Sequence, residues 1–288
     1  MFDTSRWARQ SGIRSVNVGE IRVSYVLDGM VQMHPQWLGG SAAQDFAAGT
    51  DCLDREGYLA GSVGGMLIEY GERRMLIDAG FGSRRVPAHL MPHGLGRIDG
   101  GSLMVSLRQL GVGPGQLEAV AFTHLHDDHL GWAAQADATG QVPFSRATYF
   151  ASEAEWGWWR SGTDPRRAEL VGKRLSVVRD GQEIFPGVTA WSTPGHTPGH
   201  TAYVVESGGQ RLIAFGDVMH SPIQFAEPNW GSANDFDRAQ AVASRRALVA
   251  ELGDEKTIGF GIHFADVVFG SLTGDEDEPG RLRWQPSV

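Results

Sequence analysis

The sequence predicts a layered α/β protein with mixed sheets, and three observations predict it. Its 39 glycines are spread among short apolar runs, the pattern of many strands joined by tight turns. Its elements run strands first, then helices, then strands and helices again, which is not a regular βαβ repeat. A chain of 288 residues with 41% hydrophobic content can also bury one sizeable core.

The elements follow in order. Residues 21–29, IRVSYVLDG, read as a strand, and residues 64–80 as a hairpin around a Tyr-Gly-Glu-Arg turn. Ser102 is placed to cap a short helix that Gly111 ends. LEAVAFT, 117–123, reads as a buried strand, and a histidine cluster follows it at once. Residues 151–180 read as helical, with Trp156, Trp158 and Trp159 in the first part. A strand over 187–193 precedes a second hairpin over 201–217 that turns at Ser207, Gly208 and Gly209. Asp237 opens a helix that Gly253 closes, and TIGFGIH, 257–263, is the last strand expected. The acidic stretch TGDEDEPG reads as a solvated turn without a function.

Composition narrows the function. A formal net charge of -9 speaks against a nucleic-acid partner. The single cysteine, Cys52, rules out an internal disulfide and any zinc cage built on several thiolates. The first residues lack the apolar core of a signal peptide, and no run approaches a membrane span. A cytoplasmic protein without a membrane partner is the expectation.

THLHDDHLGW, 123–132, is the sharpest chemical signal. Imidazole and carboxylate suit zinc and related divalent ions. In an extended segment His124 and His126 point the same way, so they can chelate one ion together. Asp128 and His129 lie where the chain turns toward a helix, so they can face a second. The cluster alone could hold a single ion. His196 in a Gly/Pro loop, Asp217 after LIAFG and His263 after TIGFGI extend the set to two. A strand-end histidine or aspartate taken singly is more often a cap or a satisfied hydrogen-bonding group.

This pattern resembles the metallo-β-lactamase superfamily, whose signature is H-x-H-x-D-H followed by single His, Asp and His ligands. Five motifs occur in the family's order, from MLIDAG (75–80) to GIHF (261–264). The resemblance implies an αββα sandwich of two mixed β-sheets flanked by helices, one domain over residues 1–288, with the site at one edge between the sheets. It implies one metal site of His124, His126, His196 and a bridging Asp217, and a second of Asp128, His129, His263 and the same Asp217. It also implies that Asp78 is a buried aspartate that orients ligands. The implied cofactor is a pair of divalent ions: zinc, with Mn2+, Fe2+ or Co2+ as the alternatives.

Within the superfamily, β-lactamases lack a bridging aspartate at the fourth motif, so Asp217 points away from them. The phrase TPGHTPGHT, residues 216–230 and the helix opened by Asp237 resemble the lactonase and methyl parathion hydrolase group. So does the extension over residues 1–60, which implies a pocket roof and a homodimer contact. Lactonases that quench quorum signals carry tyrosine three residues after the bridging aspartate, where this chain has His220.

The expected reaction is attack on a lactone, ester or phosphotriester by a hydroxide shared between two cations. Asp128 would take its proton. His220 is either a donor to the charged oxygen or leaving group, or a core histidine satisfied by backbone. Trp37, Phe46, Trp132, Phe225 and Trp230 are either core or the wall of an apolar substrate pocket. Two other readings stay open: a thioester hydrolase of the glyoxalase II or acyl-thioesterase kind, and a metal-bound sensor module without turnover.

Overall fold

The structure is a computed structural model that describes residues 4–39, 52–275, 278 and 280–288. Phe46 lies outside the described residues. The N-terminal half builds one sheet from β1 (Arg14–Val18), β2 (Ile21–Met33), β3 (Leu59–Tyr70), β4 (Arg73–Ile77), β5 (Arg85–Val86), β6 (Leu95–Asp99), β7 (Ala119–Ala121), β8 (Thr148–Ser152) and β9 (Leu175–Val178). Their order is β5-β6-β2-β3-β4-β7-β8-β9, with β1 paired to β2. The C-terminal half builds the other from β10 (Glu183–Phe185), β11 (Val188–Ser192), β12 (Thr201–Ser207), β13 (Gln210–Ala214), β14 (Thr257–Phe260), β15 (Phe269–Gly274) and β16 (Leu282–Pro286), ordered as numbered. Six helices accompany them among the described residues: α1 (Pro35–Gly39), α2 (Leu103–Gln109), α3 (Asp127–Leu130), α4 (Glu153–Gly162), α5 (Pro165–Gly172) and α6 (Arg238–Leu252).

Side chains alternate across each strand, and here both faces are buried. In β3 and β4, Met66, Ile68, Met75 and Ile77 meet Tyr203, Val205, Leu212 and Phe260 of the opposite sheet. Leu67 and Leu76, between them in sequence, pack outward against Leu103 and Leu107 of α2 and Trp159 of α4. On the far side, Ala202, Val204 and Ile213 pack against Leu248 and Leu252 of α6. Helix, sheet, sheet and helix therefore stack as four layers. The helical crossovers through α2 and α6 make β4–β7 and β13–β14 parallel, while the hairpins are antiparallel. Gly208 and Gly209 turn between β12 and β13 with φ of 58° and 75°, a left-handed pair that glycine adopts without strain.

Several boundaries differ from the sequence reading. Residues 151–180 are not one helical stretch. Ser152 ends β8 and its side chain accepts from the Glu155 N–H to start α4, Asp164 caps α5, and β9 follows. Ser102 makes no side-chain cap for α2. Asp28 does that work from β2, its Oδ1 accepting from the N–H groups of Gly101 and Leu103. The same oxygen takes the Trp132 indole N–H at 2.8 Å, and Oδ2 accepts from the Phe81 and Gly82 amides. The strand over 257–263 ends at Phe260, leaving His263 in the turn before β15, and β15 and β16 lie beyond the last strand expected.

Asp266 anchors the N-terminal segment. Its carboxylate accepts from Arg9 at 2.8 Å and Arg14 at 2.7 Å, and its carbonyl accepts from Arg6. Burial pushes the Asp266 carboxyl up, but the hydrogen bonds from Arg14 and Arg9 outweigh this and hold it below the usual range.

Both aspartates can be tested. Asp28→Ala strands five donors, three of them fully buried at about 1–3 kcal/mol each, and should remove at least about 3 kcal/mol in urea unfolding. Asp266 has a depressed folded-state pKa, so its contribution is complete above its unfolded value of about 3.9 and fades as pH falls below it. The stability gap between the native chain and Asp266→Asn should thus be largest at neutral pH and close in acid.

Candidate metal centre

The site forms where loops leave the strand ends at one edge of the sandwich. The turn after β7 carries His124 and His126, and α3 begins at once, presenting Asp128 and His129. The loop between β11 and β12 carries His196. Asp217 lies in a 3-10 turn after β13, and His263 in the turn after β14. The structure brings all seven together in two groups: His124, His126, His196 and Asp217, and then Asp128, His129 and His263.

In the first group His126 Nδ1 lies 2.9 Å from His124 Nε2 and 3.1 Å from His196 Nε2. Asp217 Oδ2 lies 3.3 Å from His196 Nε2 and 3.7 Å from His124 Nε2. In the second, Asp217 Oδ1 lies 3.3 Å from His129 Nε2 and 3.1 Å from His263 Nε2, which are 3.3 Å from each other. Asp128 completes it at 3.8 Å and 3.7 Å from those two nitrogens. Four ligands at zinc bond lengths define a tetrahedron with edges of about 3.3 Å. Both groups have that size, and the residues present fit a divalent cation.

Ring orientation supports the fit. His129 turns Nδ1 to Asp78 Oδ2 at 2.9 Å, His263 to the Ser62 carbonyl at 2.8 Å, and His196 to Asp235 Oδ1 at 3.1 Å. Each Nδ1 donates outward, which turns Nε2 inward, the orientation of a ligating imidazole. Several lone pairs then converge in a buried space, an arrangement that a cation satisfies and an empty space does not. Asp78 reaches its place with φ of 61°, an uncommon value for a non-glycine residue, and is held by Thr123 as well as His129.

Burial, and then the neighbouring His129, push the His124 imidazole well below its usual range. Burial and then His196 push His126 down to about 4. Burial would lower His129 and His263 as well, but Asp217 and Asp128, joined at His129 by Asp78, together outweigh it and move both the other way. Burial alone would raise Asp217, yet His129 and His263 hold it well below the usual carboxylate range. The protein without a cation thus keeps an anionic Asp217 and neutral His124 and His126.

His220 is buried, and neither ring nitrogen has a hydrogen-bond partner. Its Nε2 is 3.0 Å from Asp217 Oδ2 but poorly aligned for a hydrogen bond, and its ring meets Trp37 edge-on at 4.9 Å. It is not a histidine satisfied by backbone. His200 binds locally, accepting from the Asp217 N–H at 3.0 Å and facing Thr193 Oγ1 at 2.8 Å.

The aromatic expectations divide. Trp37 and Trp230 belong to the cluster beside β2 and β6. Phe225 stacks on Trp284 at 5.3 Å inside the core under the second sheet, because its 3-10 turn faces that core. Trp132 spends its indole N–H on Asp28 on the helix side of the first sheet. Neither faces the metal ligands. Other residues stand there instead. Trp158 lies 5.9 Å from the His126 ring, with exposed Phe236 beside it at 6.2 Å. A small cavity joins His220 and His263 to Trp7, Met33, Leu59 and Ala60. Sequence reasoning also missed Asp235 and Glu155. Glu155 accepts from Leu125 and Gly199 and so ties two ligand loops together. Glu155 follows Glu153 and Asp235 lies between Asn234 and Asp237, so nothing in the sequence sets either apart from its polar neighbours.

Known proteins give the same picture. An N-acyl homoserine lactonase of Bacillus cereus is 26% identical over 161 residues, covering 55% of this chain and 60% of that protein. A hydroxyacylglutathione hydrolase of Photobacterium profundum is 28% identical over 174 residues, covering 60% and 58%. The chain spans only about 60% of the length of these curated relatives. Among solved structures, the dizinc quorum-quenching lactonase AidC superposes with a TM-score of 0.80 at 22% identity, covering 97% of this chain and 99% of that one. The hydrolase AbOPH of the β-lactamase superfamily gives 0.77 at 22% identity, covering 96% and 98%. At that identity the two structures speak for the fold. The family described as the metallo-beta-lactamase superfamily matches residues 62–261, well over half of the sequence, and this chain belongs to it.

Proposed function

We propose that this metal-dependent hydrolase uses two cations and acts on lactones, with uncharged esters and phosphotriesters as related substrates. The observation that carries the dinuclear reading is the Asp217 carboxylate, which turns Oδ2 to one ligand group and Oδ1 to the other. The imidazole-rich donor set favours zinc. When bound, such a pair supplies Lewis acidity, lowering the pKa of a water toward neutrality and polarising the bond under attack.

The chain's own residues do the rest. The Asp128 side chain is 23% exposed while the other carboxylate, Asp217, is 6% exposed, so Asp128 is the group able to pass a proton to solvent. Burial, with Asp217 opposing it, keeps His220 below the usual imidazole range. A neutral His220 with free nitrogens can offer an N–H to the oxygen that gains charge. Met33, Leu59, Ala60 and Trp7 set apolar side chains beside His220 and His263, which suits an uncharged group at that end of the site. Trp7 brings the N-terminal segment to this cavity, while β1 and β2 of the expected extension belong to the first sheet. The lactone preference is supported by relatives named as N-acyl homoserine lactonases and by lactonase structures holding N-hexanoyl-homoserine product.

A thioester hydrolase is the second reading, favoured by the likeness to a hydroxyacylglutathione hydrolase. Turnover of an N-acyl γ-lactone, a phosphotriester and an acylglutathione thioester by zinc-loaded protein separates them. The lactone should exceed the thioester at least about tenfold, a difference of about 1.4 kcal/mol in transition-state binding. The opposite order establishes the second reading, and no turnover at all removes both.

Variants divide the roles further. Asp217→Ala should lose bound metal and activity together. His220→Phe should lower kcat about 100-fold while metal content, read by elemental analysis, stays unchanged. Unchanged kcat would remove His220 from the reaction.

A further inference from the structure

Four imidazoles turn Nε2 toward the centre, and a different group stands beside the Nδ1 of each. Thr123 Oγ1 lies 3.2 Å from His124, Asp78 Oδ2 lies 2.9 Å from His129, and the Ser62 carbonyl lies 2.8 Å from His263. His196 faces Asp235, and Asp235 has a partner of its own. Its Oδ2 lies 3.1 Å from Arg245 Nη1, and the side chains of the pair are 0% and 1% exposed.

A buried ion pair is expensive unless its geometry is closely set, and this one is. Asp235 Oδ1 also accepts from Ser232 Oγ at 3.0 Å, and Arg245 Nε donates to the Pro228 carbonyl at 2.9 Å. Gly231 lies against both, and a Cβ there would stand 2.5 Å from Asp235 Oδ2 and 2.8 Å from Arg245 Nη2. The neighbouring backbone is clipped to the ligand loop, Phe236 N–H donating to the His196 carbonyl and Asp237 N–H to that of Gly195. Helix α6 thereby reaches His196 through one carboxylate.

The two carboxylate-backed histidines fall in different ligand groups. The other groups that Asp78 binds are the Thr123 amide and hydroxyl, both neutral, so no hydrogen-bonded cationic side chain shares its charge. Arg245 shares the charge of Asp235. We propose that Asp235 and Arg245 are positioning residues that set the cation affinity of the His124–His126–His196 group separately from that of the other group. Asp235 fixes the tautomer and ring plane of His196. Arg245 fixes Asp235. This rests on the dinuclear reading of the centre.

Calorimetric titration of metal-stripped protein with Zn2+, against a competing chelator, tests it. The native chain should take two equivalents. Asp235→Asn should weaken one of them about 10- to 100-fold and leave the other within about twofold. Asp78→Asn should weaken the other one, and the two substitutions combined should weaken both. Asp235→Asn/Arg245→Met replaces the buried pair by neutral groups of similar volume, and should behave as Asp235→Asn does if the single variant fails to fold. Two equivalents weakened together by Asp235→Asn, or neither weakened, overturns the proposal and leaves the dinuclear reading standing. A single equivalent in the native chain overturns both.

Discussion

Taking the Asp217 carboxylate out of water costs several kcal/mol, and five imidazoles within 3.7 Å of its oxygens offset that cost. Much of the local architecture answers to this one buried charge. Four of the imidazoles, His124, His129, His196 and His263, face it with Nε2 and have a polar group behind Nδ1. Three of those partners come from separate elements: Asp78 after β4, Ser62 within β3, and Asp235 before α6. Both sheets therefore have to be in place before the carboxylate is satisfied.

The loops are held as firmly as the ligands. Glu155 at the start of α4 accepts from the loops of His126 and His200, and burial pushes its carboxyl up even so. Asp28 gathers the loop after β4, the start of α2 and Trp132 around one buried side chain. Gly80, with φ of 57°, leaves no room for a side chain beside it, since a Cβ would stand 2.5 Å from Asp28 Oδ2. These are long-range tethers, joining residues tens of positions apart.

That distance explains what could be read in advance. The ligand cluster was legible because imidazoles and carboxylates crowd into six residues, and the hairpins because periodicity and glycine turns are local. β9 and β10 were not, since four residues such as Leu175–Val178 carry too little pattern, and the helices α4 and α5 before them masked the change. The capping of α2 by Asp28 crosses 75 residues and leaves no local mark. Asp235 and Arg245 looked like ordinary polar residues near a helix, and only the fold shows them closed in behind His196. Phe225 and Trp132 were ambiguous for the same reason, as composition does not say which way a loop aromatic faces.

Ligands after β7, on the β11–β12 loop and after β14 mean that the centre straddles the junction between the two halves of the chain. A cation held by the Asp128–His129–His263 group would tie residue 128 to residue 263 and so close a long loop of the chain. It would act as a removable rivet through the sandwich. Demetallation would release the clasp between the sheets, and the reservoir of metal around the protein would govern how long the closed form endures.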